Sequence, residues 1–466
     1  MIKKLFSHSA IYGLSPYIPR IAGIFTLPII TQHLTELDFG VYGIVTAIVE
    51  GLAVFMTLGL NVTLTNAFYK SPGQFKWAWR QIYGFLILWS FPYALLLSST
   101  LYYFIPLEAK KDAFLIIILS VLPIVLFGSA TVLGRTYYQL KQKPFQIAIR
   151  SVIIGFLTIA LNVYFIAVIK LGYLGWFFSI CISQVLLQAS YLIPLIKGLK
   201  ILPIFNFKRR FIFDRLKIAL PTVPHYYGAF LLNSSDRILM SILGVPTGHV
   251  GLYNAANTVG SLVQKAGLAA GQAMGPMMYQ SYKDNREFDA RKLVFIAQIV
   301  FFVGTLLLSL WMKEIFVFLI RNAALQSVYP LAIIIVMGYN YRPMYFGANT
   351  RLFYLEKTKV LPRITLIGGM LCIFLNLIFI PIYGYKVAAI STYIALMYLG
   401  YSGYFLKVFR QHSKVDYYPL VWFMITVGLT FFAYYGVETS LVYKAGFSLL
   451  ILAIGSTILF KIAKSI

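Results

Sequence analysis

Six ionisable side chains stand where the surrounding sequence is almost wholly apolar: Arg20, Glu50, Asp236, Arg237, Lys265 and Arg342. A charge within a membrane-spanning helix costs about 2.5–3.5 kcal/mol on insertion scales, so such residues face a cavity or a partner. Four of the six are cationic. An arginine fork or a lysine ammonium in a low-dielectric cavity suits phosphate, which makes Arg20, Lys265, Arg342 and Arg237 candidates for holding an anionic substrate. Arg20 and Lys265 lie deepest in their apolar stretches. Arg237 also has the option of snorkelling to an interface, and Asp236 that of a structural ion pair. At helical spacing His225, Gly228, Leu232 and Asp236 share one face, a path for a proton.

Uncharged polar residues join this set. Asn254, Asn257, Ser261, Gln264, Lys265 and Gln272 fall within an arc of about 100° on one helix. Thr46, Glu50, Thr57 and Asn61 share a face of another. An offset of 211 residues pairs Thr46 with Asn257, Glu50 with Ser261 and Asn61 with Gln272. Hydrogen bonding between helices is the plainer use of such residues; a shared water-filled cavity accounts better for the symmetry.

The elements that must position these residues are spans, not soluble domains. Of 466 residues 60% are hydrophobic and 12% charged, against about 45–50% and 25% in soluble domains. About 20 apolar residues cross a bilayer. Fourteen such stretches occur, at 10–33, 41–64, 81–105, 113–134, 151–169, 174–196, 218–243, 250–274, 293–312, 328–349, 364–382, 387–406, 419–437 and 445–462. They lack the alternation of barrel strands, so the expected fold class is an all-α integral membrane protein. The N-terminus has no small-residue cleavage site and reads as the start of helix one.

The net charge of +26, from 40 Lys+Arg against 14 Asp+Glu, would suggest nucleic acid on a soluble body; here it is orientation. With both termini in the cytoplasm, 29 of the 40 basic residues fall in cytoplasmic segments, most densely in 197–217, as the positive-inside rule requires. Cys181 and Cys372 both lie in spans, so no disulfide framework is expected.

The chain also repeats. Gly40-Val41-Tyr42 recurs as Gly251-Leu252-Tyr253, and Leu161-Asn162-Val163-Tyr164 as Leu375-Asn376-Leu377-Ile378, at offsets of 211 and 214. Six spans per half make the halves parallel repeats, a secondary-transporter plan with substrate held between them. The expected division is a six-helix lobe over 1–196, a basic linker over 197–217, a second six-helix lobe over 218–406 and two further helices over 407–466. Pro16, Pro19, Pro221 and Pro224 free backbone carbonyls and permit bending. No nucleophile–base set, carboxylate pair, Cys/His cluster or phosphate-cradling loop occurs, so an enzyme is not expected, and neither is a cofactor beyond a coupling H+ or Na+.

Several short motifs carry a resemblance. Ser9-Ala10-Ile11-Tyr12, Leu27-Pro28-Ile29-Ile30-Thr31, Asp38-Phe39-Gly40-Val41-Tyr42-Gly43 and Leu58-Gly59-Leu60 resemble the N-terminal region of the Wzx-type polysaccharide flippases of the MOP exporter superfamily. Leu220-Pro221, Asp236-Arg237, Gly251-Leu252-Tyr253-Asn254 and Ile380-Pro381-Ile382-Tyr383-Gly384 continue it. The resemblance implies two six-helix lobes around a central cavity, a bacterial inner-membrane location, and export of undecaprenyl-pyrophosphate-linked oligosaccharide repeat units for O-antigen, capsule or exopolysaccharide. It implies partnership with a polysaccharide polymerase and a chain-length regulator, and coupling to an ion gradient, with Glu50, Asp236 and His225 as candidates. Lipid II flippases of the same superfamily share an arginine in span one and two final helices, but have a second arginine where this chain has Glu50. A MATE-type multidrug antiporter is the other alternative; cationic drugs want acidic or aromatic pockets, and four buried bases stand here against two acids, which weighs against it.

Overall fold

The computed structural model describes residues 18–357 and 360–464. The chain is 85% helical, with no strand among the described residues, because backbone groups in a bilayer must be satisfied within each segment. Ten helices there are long and apolar enough to cross a membrane. The other four expected spans depart for identifiable reasons. Span one lies only partly within the described residues, as α1 (Ile18–Ile24) and a short turn at Leu27–Ile30. Span seven is broken in two. Span eight is one 37-residue helix diluted by its polar row. Span twelve gives only the 15 residues Val387–Tyr401 before a tighter turn.

The chain forms two compact units, Met1–Phe230 with Pro246–Gly251, and Leu231–Val245 with Leu252–Ile466. In the first, α2 (Glu36–Thr57) opens with a capping box: the Thr35 hydroxyl accepts from Asp38 N, and Asp38 Oδ2 accepts from Thr35 N at 2.7 Å, which satisfies two orphan donors at once. Asp38 Oδ1 also accepts from Tyr173 N at 2.8 Å. α2 stops at Thr57 because Leu58 (φ 50°) and Gly59 (φ 74°) turn left-handed, and α3 (Asn61–Lys70) starts a new phase. The face expected to join Thr46 to Asn61 therefore ends at Thr57.

The first unit continues through α4 (Phe75–Phe104), α5 (Ala113–Pro123), α6 (Ser129–Leu140), α7 (Pro144–Asn162) and α8 (Tyr173–Ile193). Its core gathers Leu60, Leu64, Trp79, Ile82, Leu133 and Leu195. The basic connection after α8 is pinned rather than loose. Arg80 Nε donates to Leu202 O at 3.0 Å and Lys208 N to Gln81 Oε1 at 2.8 Å, and from Arg209 the chain is helical again, as α9 (Arg209–Ala219).

Two repeat-related glycines meet in this unit. A Cβ on Gly40 would lie 2.0 Å from Thr247 O, and one on Gly251 would lie 1.7 Å from Glu36 O. Each acceptor belongs to the residue four before the other glycine, so two helix starts cross backbone to backbone.

The broken span seven comprises α10 (Val223–Asn233), preceded by a 3-10 turn at Leu220–Thr222, and α11 (Ser235–Ile242). Ser234 between them has φ −141° and ψ −8°, which interrupts the helical phase. The continuous face expected from His225 to Asp236 is therefore broken. After α12 (Thr247–Lys283) come α13 (Glu287–Leu310), α14 (Met312–Leu319), α15 (Tyr329–Gly338), α16 (Arg342–Tyr354), α17 (Leu361–Tyr383) and α18 (Val387–Tyr401).

The last helices, α19 (Pro419–Gly436) and α20 (Leu441–Lys464), pack on α13 in the second unit. They are mostly exposed but not loosely held. Lys444, 1% exposed, donates to Glu314 Oε1 at 2.6 Å, and Trp311 Nε1 donates to Ser448 Oγ at 3.0 Å. Where the tail begins, Glu287 accepts from Ser413 Oγ and Lys414 N, each at 2.9 Å, while Arg351 donates to His412 O at 2.6 Å.

Candidate functional site

Breaking a helix inside a membrane frees backbone groups, and such breaks in transporters position substrate and ion ligands. The break at Ser234 places Asn233, Asp236 and Arg237 together in the second unit. Asp236 is 3% exposed. It accepts from the Tyr253 hydroxyl of α12 and, at 3.2 Å, from Thr392 Oγ1 of α18. Thr392 in turn lies 3.6 Å from Cys372 Sγ, to which Asn376 Nδ2 donates at 3.7 Å. Two buried acceptors in this cluster have no protein partner, Asp236 Oδ1 and Asn376 Oδ1. A buried acceptor left unpaired costs about 1–3 kcal/mol, more when charged, so the cluster holds acceptor capacity that the described protein groups do not use.

Arg237 turns the other way, as adjacency on a helix requires. Its Nη1 donates to Asn254 Oδ1 at 3.1 Å and its Nη2 to Asn233 O at 3.2 Å. Asn233 Oδ1 accepts from Gln264, so Arg237, Asn254, Asn233 and Gln264 form one connected polar set. Further along the same helix Lys265 Nζ donates to Ser261 Oγ at 3.3 Å, and Ser261 bonds back to Thr258 O. Asn257 is half-buried beside them. Arg342 is 6% exposed, its guanidinium 5.3 Å from the Tyr341 ring and 5.9 Å from Phe346. Its stem packs against Gly267 of α12, where a Cβ would sit 3.1 Å from Arg342 Cδ.

Among the predicted site residues, the structure thus brings together Asp236, Arg237 and Gln264 around the break, with Lys265, Ser261, Asn257 and Arg342 along α12. Glu50 and Asn61 belong to the first unit, where both are exposed. The side chains of Arg20, His225 and Gln272 lie outside the described residues. Tyr253, Thr392, Cys372, Asn376 and Asn233 were not among the predicted site residues. Two of them stood in plain view, since Tyr253 and Asn376 belong to the repeated motifs.

A second feature of this unit is a groove of about 430 Å³ between α13, α19 and α20. Its walls are aliphatic and aromatic throughout, with Phe302, Leu306, Trp422, Phe432 and Ile454 among them.

A family profile described as Polysaccharide biosynthesis protein matches residues 5–282. No curated protein sequence matches the chain. Among solved structures, "Lipid II flippase MurJ, inward closed conformation" has a TM-score of 0.76 at 15% identity, covering 97% of this chain and 98% of that one. An inward-facing multidrug resistance MATE transporter of the MOP superfamily has a TM-score of 0.62 at 14% identity, covering 90% and 95%. A MOP superfamily transporter from Pyrococcus furiosus, titled for the reverse polarity of its binding pocket, has a TM-score of 0.57 at 14% identity, covering 92% and 96%. At these identities the likeness is one of fold, and that fold is a multi-pass transporter fold.

Proposed function

Because this chain belongs to the polysaccharide biosynthesis protein family, we propose that it is a flippase for undecaprenyl-pyrophosphate-linked oligosaccharide repeat units. It carries them from the cytoplasmic to the outer leaflet of a bacterial inner membrane by ion-coupled alternating access. The observation that carries this reading is the charge balance around α12, where among the described residues the bases Arg237, Lys265 and Arg342 outnumber the one acid of the cluster at the helix break, Asp236. A cationic, hydroxyl- and amide-lined surface suits pyrophosphate and sugar. The apolar groove beside α19 and α20 supports a lipid-linked cargo, since its volume and lining suit part of a polyprenyl chain. Asp236, with one oxygen still open, is the coupling-ion residue on this reading, binding H+ or Na+.

The likeness to a lipid II flippase and the two final helices favour a second reading, transport of a peptidoglycan precursor. Glu50, standing where those flippases resemble one another in carrying arginine, weighs against it. The two readings and their common failure are separated by one experiment. In a deletion strain, lipid-linked repeat units accumulate on the cytoplasmic side and surface polysaccharide is lost. Unchanged surface polysaccharide with arrested cell-wall synthesis selects the second reading. No accumulation of either precursor rejects both. Lys265→Ala and Arg342→Ala, each complementing fully, would remove the cationic mechanism.

A further inference from the structure

The first unit holds a pocket that the reading above does not use. It has a volume of about 530 Å³ and lies among α1, α6, α7 and α8. Thr131 and Arg135 come from α6, Ser151 and Thr158 from α7, and Gln184 and Tyr191 from α8. Pockets of this size hold small ligands or headgroups. α1 closes one side, pressed so near α7 that a Cβ on Gly155 would lie 2.3 Å from Pro19 Cβ.

The charge of this pocket is one-sided. Arg135 is exposed and makes neither a salt bridge nor a hydrogen bond among the described residues. Arg150, beside the pocket on α7, has its guanidinium 5.1 Å from both the Tyr138 and Tyr191 rings. Its Nη1 bonds only to Gln146, and its Nε has no partner. Thr131 Oγ1 in the wall is likewise buried and unpaired. Among the described residues no acid lines the pocket. Two arginines without a carboxylate, set among hydroxyls, an amide and a tyrosine, form a receptor for an anion that carries hydroxyl groups.

The position says where such an anion comes from. Arg135 and Arg150 stand five and six residues from the facing ends of α6 and α7, about 7–9 Å along a helix at 1.5 Å per residue, near the ends of their spans rather than at mid-span. Only 6% of the most apolar window of the span Pro144–Val168 is buried, so α7 is peripheral and meets lipid. We propose that this pocket binds the phosphate of a lipid headgroup, with Arg135 and Arg150 donating to the phosphate and Thr131, Ser151 and Gln184 to the attached polyol. The chemistry stands whether the lipid is an ordinary anionic phospholipid or the polyprenyl-linked cargo; only in the second case does it rest on the proposed function.

Lipid retention by the purified full-length protein tests it, with native mass spectrometry after exchange into mixed micelles. The arms contain phosphatidylglycerol, undecaprenyl pyrophosphate, phosphatidylcholine, or inorganic phosphate as competitor. Wild type is expected to retain an anionic lipid at least tenfold over phosphatidylcholine. Arg135→Gln and Arg150→Gln should each lower retention about tenfold, the loss expected for a charge-assisted hydrogen bond. Lys141→Gln with Lys143→Gln, in the neighbouring loop, should leave it unchanged. Retention of both anionic lipids marks a general phospholipid site, and retention of undecaprenyl pyrophosphate alone marks a cargo site. Displacement by millimolar inorganic phosphate, equal retention of phosphatidylcholine, or equal losses in the loop variant each overturn the proposal. An unfolded arginine variant is replaced by the corresponding lysine variant, which should retain part of the affinity. Surface-polysaccharide complementation by Arg135→Gln is read separately, since failure of the flippase reading leaves the lipid-binding result intact.

Discussion

The two units use one duplicated pattern to opposite electrical effect. Asn162 in the first and Asn376 in the second are related by the 214-residue repeat, and each has a carboxamide oxygen that is buried and unpartnered. One turn before each stands another repeat pair, Thr158 and Cys372. In the first unit Thr158 faces a pocket whose charged wall is Arg135, with no acid present. In the second, Cys372 faces Thr392, which donates to Asp236. The first-unit position 211 before Asp236 is Phe25, an exposed apolar residue. A shared scaffold fixes where polar groups gather, and one or two side chains then set the sign of the field. On the readings proposed above, the Asp236 cluster takes the coupling cation and the acid-free pocket beside Thr158 an anion, while the bases along α12 lie outside this repeat pair.

The most damaging change to that division is Asp236→Asn. Gradient-driven transport in proteoliposomes should fall on the order of a hundredfold, about 2.7 kcal/mol, with the folded protein intact because Tyr253 and Thr392 keep an acceptor. Survival of coupled transport would mean that the ion site lies away from Asp236, and the contrast would fail. Next, Lys444→Met should destabilise the second unit by about 2 kcal/mol, less than the 3–5 kcal/mol of a fully buried pair, since Glu314 is a third exposed. Adding Glu314→Gln should recover most of it in thermal unfolding. Tyr253→Phe removes one hydrogen bond to Asp236, about 1 kcal/mol, and should shift ion dependence about fivefold without affecting lipid retention. Smallest of all, Asn162→Leu should alter unfolding by about 0.5 kcal/mol or less and leave coupling unchanged. Asn376→Leu should change the ion dependence, and equal effects from the pair would erase the distinction.

Much of the scaffold was legible because bilayer chemistry leaves few options. Apolar runs, basic connections and two short repeats gave an all-α chain of spans, and Asp236, Arg237 and Lys265 stood out as charges in apolar surroundings. What stayed hidden was phase. Helical-wheel reasoning assumes an unbroken helix, so it aligned Asn61 with Thr46 across the turn at Leu58 and Gly59, and His225 with Asp236 across Ser234. Neither break is a proline, the residue on which bending had been placed. Arg135 and Arg150 were counted as loop charges because the apolar runs 113–134 and 151–169 stop just beside them, whereas the hydrogen-bonded helices run on. Thr392 and Cys372 carry no charge to mark them; only contact with Asp236 gives them a role.

The crossing at Gly40 and Gly251 has a mechanical consequence. A joint of bare backbone has no latch. At the two glycines themselves the contact is of backbone on backbone, held by shallow dispersion. The joint is equally intolerant of padding. Ordinary contact begins at 3.4 Å, and a methyl on either glycine would sit at 2.0 Å or less from a carbonyl oxygen. A single added carbon would act as a doorstop, holding the helices more than an ångström apart.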